Sequence, residues 1–357
     1  MGRTMLLRKD GPIRQQQTGM SAARYLMAPI WIAQLATGAK SFRDNPLIGS
    51  PALNARGLHA ARVRLAHRLA WSRRARLARL IDPADRAAFD RDGFVEVRDF
   101  LAPDVFARLR DAAMAYRGPA REMVQGDTIT RRIAFDPEAL TAIPDARRLL
   151  ADPRWRGLNR YVGSFDSEPL VYIQTILAHR RDGPPDPQTQ FHADTFHPTV
   201  KAWLFLTDVA EEDGPFAYVP GSHRLTPERI AWEQAMSLRA AGADRLSARG
   251  SFRISAAELP DLGLPKPRRF AVPANTLIVA DTFGFHARVP ATRPSTRVEI
   301  WAYGRRSPFL PWVGFDPLSR PGLAERRIPW LWAARDRLSG LIGQPWQDVG
   351  RRLPGEG

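Results

Sequence analysis

The sequence predicts a mainly β fold with flanking helices, an antiparallel jelly roll, on three observations. Short β-rich runs recur at 170–178 (LVYIQTILA), 200–209 (VKAWLFLTDV), 216–219 (FAYV), 276–281 (TLIVAD) and 297–304 (RVEIWAYG). Asp-Gly and Pro-Gly turns punctuate them, as at 213–214 and 220–221. No helix alternates regularly between them, which argues against a doubly wound parallel sheet.

The elements follow in order. Residues 1–82 read as a basic helical extension. Within 56–80, Leu58, Ala61, Leu65 and Leu69 share one helical face, the expected buried stripe, and Arg64 and Arg68 line another. Such a helix either packs on the main domain with solvated arginines or lies on an anionic membrane surface or acidic partner. Nucleic acid is not expected, because aromatics are not interleaved to stack on bases. From residue 83 a short helix leads through Asp92-Gly93 into a strand at 94–97. A helix then starts near Pro103, with Phe106, Leu109, Ala113 and Tyr116 as its apolar stripe. Residues 226–270 interrupt the strands with a helix (PERIAWEQAMSLRAA) and a Gly/Pro-rich stretch, read as a lid insertion. Residues 306–357 form a Trp/Pro/Arg-rich extension containing Trp312, Trp330, Trp332 and Trp346.

Composition narrows the chemistry. The chain has no cysteine, which excludes disulfides, zinc-thiolate sites and thiol nucleophiles and leaves His, Asp and Glu as metal ligands. The formal charge of +16 is concentrated early: residues 1–80 hold 15 Lys or Arg against two acids. No stretch approaches the roughly 20 apolar residues of a membrane span. A cytoplasmic protein is expected, in peripheral contact with a membrane if the basic helix is used that way; an Arg-rich transit peptide is the alternative.

The stretch FHADTFHPTVKAW (191–203) carries the chemistry. On a strand, residues i and i+2 point to one side, so His192 and Asp194 project together while Ala193 faces away. A third ligand on one face would complete the 2-His-1-carboxylate arrangement of non-haem Fe(II) oxygenases. His286 follows the apolar run TLIVAD and the bend TFGF, and Arg297 stands eleven residues later, at the start of RVEIWAYG. An arginine there can pair bidentately with a carboxylate inside a mostly apolar fold.

Four blocks in this order resemble the phytanoyl-CoA dioxygenase family of Fe(II)/2-oxoglutarate oxygenases: FDRDGFVEVRDFL (89–101), FHAD with VKAWLFLTDVAEEDGPFAYVPGSHR (191–194 and 200–224), TLIVADTFGFH (276–286), and the arginine at 297. The resemblance covers about 83–305 and implies a double-stranded β-helix of the cupin-like kind. It implies His192, Asp194 and His286 as iron ligands and Arg297 as the anchor of the distal carboxylate of 2-oxoglutarate. Trp203 matches a position beside that co-substrate, and Gln174, on the preceding strand, is placed to face the pocket. Members often carry Gly-Ser after the distal histidine; here Ala287-Arg288 follows, so a serine contact to 2-oxoglutarate is missing or replaced.

The cofactors implied are Fe(II), 2-oxoglutarate and O2. Related halogenases replace the ligand carboxylate with a small residue, whereas Asp194 keeps it, so hydroxylation of an unactivated C–H of a small molecule is expected. His197, beyond the Pro198 turn, reads as a hydrogen-bonded loop residue or a pocket contact; His223 reads as structural, and His179 has no assigned part. Arginines of the insertion, including Arg253, Arg268 and Arg269, together with the tail tryptophans, suggest an anionic, lipid-like substrate. Two other classes compete: a catalytically silent jelly-roll adaptor binding an anionic surface through residues 1–82, and a His/Asp zinc hydrolase, which leaves Arg297 unexplained.

Overall fold

The computed structural model describes residues 22–356. The first 21 residues of the basic extension lie outside them, including four of its Lys and Arg residues. Among the described residues the helices are α1 (Ala22–Leu35), α2 (Pro51–Ala55), α3 (Leu58–Leu77), α4 (Pro83–Asp92), α5 (Pro103–Ala115), α6 (Pro137–Ala142), α7 (Pro144–Ala151), α8 (Pro153–Gly163), α9 (Pro227–Arg239), α10 (Arg327–Arg337) and α11 (Ser339–Ile342). The strands are β1 (Phe94–Val97), β2 (Gly118–Gln125), β3 (Thr128–Ala134), β4 (Leu170–Ala178), β5 (Val200–Phe205), β6 (Phe216–Tyr218), β7 (Arg268–Arg269), β8 (Leu277–Asp281), β9 (His286–Arg288), β10 (Ser295–Gly304) and β11 (Gln347–Arg352).

The strands build a jelly roll from two antiparallel sheets rather than a closed barrel. The larger sheet has the order β1-β8-β5-β10-β4-β3-β2-β11, the smaller β7-β6-β9. Strand alternation divides two cores between them. On β5, Ala202 and Leu204 point to the helical side and join Trp155, Leu158, Leu277 and Val279 in the outer core. Trp203 and Phe205 point the other way, into a core shared with Phe216, Tyr218 and Phe270 of the smaller sheet side. Trp203 lies against Phe216 with ring centroids 4.3 Å apart, so the two sheets close on each other through aromatic contact. The functional cavity opens beside this second core.

The strands expected from alternation are present within a residue or two at most ends. The helix after Pro103 buries Phe106, Leu109 and Ala113, with Tyr116 buried at its C-terminal cap. Two features of the larger sheet carried no sequence expectation. The β2–β3 hairpin lacks an apolar alternation, because its strands hold Arg121, Glu122, Arg131 and Arg132. In the fold, Arg131 pairs with Glu122 at 2.6 Å, and Arg132 bonds Gln174 at 2.8 Å under the faces of Trp301 and Trp346. The chain end returns as β11 to pair with β2.

The basic helix corrects one expectation. α3 packs on the domain, but not through the Leu58/Ala61/Leu65/Leu69 stripe: Ala61 and Leu65 are exposed. The buried residues are His59, Ala60, Arg62, Val63, Ala66, His67, Ala70, Arg73, Arg74 and Leu77. Its arginines are ties rather than solvated charges. Arg62 donates to the carbonyls of Leu35, Thr37 and Ala39; Arg73 to Ser164, Pro308 and Leu310; Arg74 to Tyr161, Val162 and the carboxylate of Asp281. A guanidinium has five donors, enough to be buried among carbonyls where an aliphatic stripe would be expected. Arg64 and Arg68 do face solvent. No helix among the described residues is long and apolar enough to cross a membrane.

Candidate active site

His192 and His286 meet as an antiparallel pair. The amide of each donates to the carbonyl of the other at 3.0 Å, which puts both side chains on one side with ring centroids 4.5 Å apart. Asp194, one pleat further along, is fixed by its amide bond to the Thr282 carbonyl and points to the same side. The turn before His286 is tight: a Cβ on Gly284 would fall 1.8 Å from the Tyr218 hydroxyl, which donates to the Asp281 carbonyl. Only glycine allows the chain to bend here and start β9.

One ligand-type atom from each of His192, Asp194 and His286 lies within 4.8 Å of the others. The Nε2 atoms of His192 and His286 are 3.8 and 3.7 Å from Asp194 Oδ1. Each imidazole is oriented from behind, His192 Nδ1 bonding the Gln190 carbonyl at 2.8 Å and His286 Nδ1 that of Gly284 at 2.9 Å. A carbonyl can only accept, so both Nδ1 atoms carry the proton and both Nε2 lone pairs face the shared centre. Nothing among the described residues satisfies the buried His286 Nε2. Burial pushes His286 down to about 4 and His192 well below its ordinary range, so both are neutral, as ligands must be. Burial works against ionisation of Asp194, but the Lys201 ammonium beside it pulls the other way, and the carboxyl lies well below its ordinary range. Lys201 Nζ sits 2.6 Å from Asp194 Oδ2, leaving Oδ1 for the centre. The donor set and its protonation fit a divalent transition metal.

The remaining predicted residues line the same cavity. Trp203, Gln174 and Arg297 face it together with the three centre residues. Arg297 is buried; its Nε meets Glu299 Oε2 at 3.0 Å and one Nη donates to the Gly214 carbonyl at 2.6 Å. Gln174 bridges, donating to Glu299 Oε1 at 2.7 Å and accepting from Arg132. The chain Arg132–Gln174–Glu299–Arg297 thus runs along the cavity wall. His197 is buried outside the cavity lining, bonded to the Pro198 carbonyl. His223 is buried against Phe89, and His179 is exposed, touching Asp127 and the Ala291 carbonyl.

Sequence reasoning missed Lys201, Arg132 and Glu299, and marked Arg288 only as standing where a serine contact is missing or replaced. Lys201 offered a signal, being one pleat before Trp203 on an apolar strand and therefore on the same side. The insertion also contributes a wall: Phe252 accepts from the Ala193 amide and Arg253 bridges His192.

The phytanoyl-CoA dioxygenase (PhyH) model matches residues 89–249, a span that takes in His192 and Asp194. Those residues, 161 of 357 and so under half of the chain, are similar to the phytanoyl-CoA dioxygenase family. The family match stops before His286 and Arg297, whose places rest on the geometry. An ectoine dioxygenase of Sphingopyxis alaskensis is 29% identical over 162 residues, 40% of this chain and 50% of that protein, so the chain spans half the length of that relative. Among solved structures, the epimerase SnoN from nogalamycin biosynthesis, in complex with Fe3+, alpha ketoglutarate and nogalamycin RO, is 22% identical with a TM-score of 0.43, over 68% of this chain and 93% of its own. HygX from Streptomyces hygroscopicus, with nickel and 2-oxoglutarate bound, is 18% identical with a TM-score of 0.41, over 63% and 87%.

Proposed function

We propose that the protein is a mononuclear Fe(II)/2-oxoglutarate-dependent dioxygenase that hydroxylates an unactivated C–H of a small-molecule substrate. One observation carries the reading: two neutral imidazoles and one carboxylate converge in a cavity that also holds a buried arginine. His192, Asp194 and His286 would hold the iron, and Arg297 the far carboxylate of the keto acid, with Trp203 alongside. When bound, iron with 2-oxoglutarate and O2 supplies the oxidising power. The chain's residues do the rest. Gln190 and Gly284 carbonyls orient the imidazoles, Lys201 confines Asp194 to one ligating oxygen, and Glu299 with Gln174 fixes Arg297. The retained Asp194 favours hydroxylation over halogenation. The ectoine dioxygenase relationship supports a small-molecule substrate.

The finer reading is an anionic, lipid-like substrate. Lys201, Lys40 and Arg253 surround Asp194, and binding of a dication to that carboxylate leaves their charge uncompensated. The tail exposes Trp330, Leu331, Leu338, Leu341 and Ile342 beside the exposed Arg326 and Arg337, a composition suited to an anionic membrane surface. Substituting Leu338, Leu341 and Ile342 together by Ser is expected to abolish sedimentation with anionic vesicles; unchanged sedimentation removes the membrane contact from the proposal.

Anaerobic Fe(II) and 2-oxoglutarate are expected to give a visible charge-transfer band, and aerobic incubation to release succinate slowly. His286→Ala should lose both. A folded, iron-loaded wild type showing neither would leave the silent-adaptor reading standing in place of the enzyme.

A further inference from the structure

We propose that Arg288 is a second guanidinium anchor for the distal carboxylate of the keto-diacid co-substrate, acting beside Arg297; this rests on the oxygenase reading above. Arg288 stands two residues past His286 on β9, so its side chain leaves the strand on the same side as that imidazole. It lines the cavity together with Arg297. One Nη meets Asp186, while its Nε and other Nη make no hydrogen bond among the described residues. The second Nη of Arg297 is likewise without one. Two forks therefore present unused donors to one space, the arrangement that recognises a carboxylate.

The surrounding charges agree. Around the inner end of the cavity stand Arg132, Arg288 and Arg297, with Glu299 and Asp186 bonded to this group. Within this hydrogen-bonded group three guanidiniums meet two carboxylates, with Asp127 acting on Arg288 from further off, so an incoming carboxylate finds unused donors on an arginine-rich wall. The replaced serine would have offered one neutral donor; Arg288 offers a charged pair. A keto acid lacking the second carboxylate would leave those donors unused, so the geometry selects diacids.

The alternative is that Arg288 only pins the 187–189 turn through Asp186, whose carboxylate caps it at Gln188. Two co-substrates separate the roles. In anaerobic Fe(II) protein, Arg288→Ser is expected to weaken 2-oxoglutarate at least about tenfold, the loss of a charge-assisted hydrogen bond. It should leave 2-oxobutyrate, which lacks the distal carboxylate, bound as before. Affinity is read from the charge-transfer band and checked by calorimetry with Ni(II). Unchanged 2-oxoglutarate affinity, or an equal loss for both acids, overturns the proposal. Arg288→Lys keeps the ion pair to Asp186 and guards against misfolding; it should lose part of the diacid preference, and full retention counts against the anchor. A wild type binding neither keto acid sinks the oxygenase reading itself, a distinct outcome.

Discussion

The centre of this site was legible at single residues because its signals are local. His192 and Asp194 differ by one pleat, and His286 announces itself by following a buried strand and a bend. Glu299 was not legible, and Arg288 showed only as a departure from the expected serine, because the partners that bury charged strand residues lie far along the chain. Gln174 lies 125 positions from Glu299 and Asp186 lies 102 from Arg288. Glu299 illustrates what such a buried charge does. It is fully buried and shared between Arg297 and Gln174. Glu299→Gln leaves Arg297 buried without a counter-charge, and a loss of about 3 kcal/mol in unfolding free energy is expected. Combining it with Arg297→Met removes the stranded charge. The double variant should recover most of the stability in denaturant melts while 2-oxoglutarate binding stays lost, which separates the structural role of Glu299 from the binding role of Arg297.

Among the elements, periodicity located β4, β5, β8 and β10 because their alternation is apolar on both sides of the larger sheet. It failed for α3, where the buried side is built from His and Arg, and for the β2–β3 hairpin, whose arginines are satisfied by partners far along the chain. α3 is a tie between the helical layer and the active-site turn. Arg74 pairs with Asp281 at 2.8 Å, both fully buried, and Asp281 also accepts from the amides of Thr199 and Phe283, bracketing the chain between β8 and His286. Burial pushes the Asp281 carboxyl up against the pull of Arg74, so this pair is held at a desolvation cost. Arg74→Met strands Asp281 and is expected to cost about 3–5 kcal/mol. It should also loosen Co(II) binding, because the turn ahead of His286 loses its brace. Arg68→Ala, on the exposed side of the same helix, should stay within about 0.5 kcal/mol in the same melts. Equal effects of the two substitutions would mean α3 is not the tie described here.

Across the whole molecule, six of seven histidines are buried, and only His179 is exposed. Three of the buried ones, His67, His197 and His223, lie outside the His192/Asp194/His286 cluster, with no carboxylate within ion-pair distance among the described residues. Burial pushes His197 down to about 3 and holds His67 and His223 well below the usual histidine range, with nearby arginines adding to the effect. The sign follows from linkage. A folded-state value below the unfolded one, near 6.5, means the unfolded chain takes up protons that the folded chain refuses. Stability is therefore complete above about pH 6.5 and falls as the pH drops below it. Each such histidine contributes up to about 1.4 kcal/mol per pH unit, so three remove roughly 4 kcal/mol per unit. Against a typical total of about 5–15 kcal/mol, that brings acid unfolding between roughly pH 5.3 and 2.8, while most exposed carboxylates are still ionised at its upper edge. Thermal melts from pH 7.5 to 4.5, with metal held absent by chelator so that His192 and His286 add to the slope alongside these three, should show a steep fall in Tm beginning near 6.5. His67 packs its ring on Phe283 at 4.2 Å with both nitrogens unpartnered, so His67→Phe preserves the aromatic contact while removing one proton site. That variant should flatten the slope by about a fifth, since it removes one of five depressed histidines. A slope that His67→Phe does not move would place the acid sensitivity in the carboxylate pairs instead.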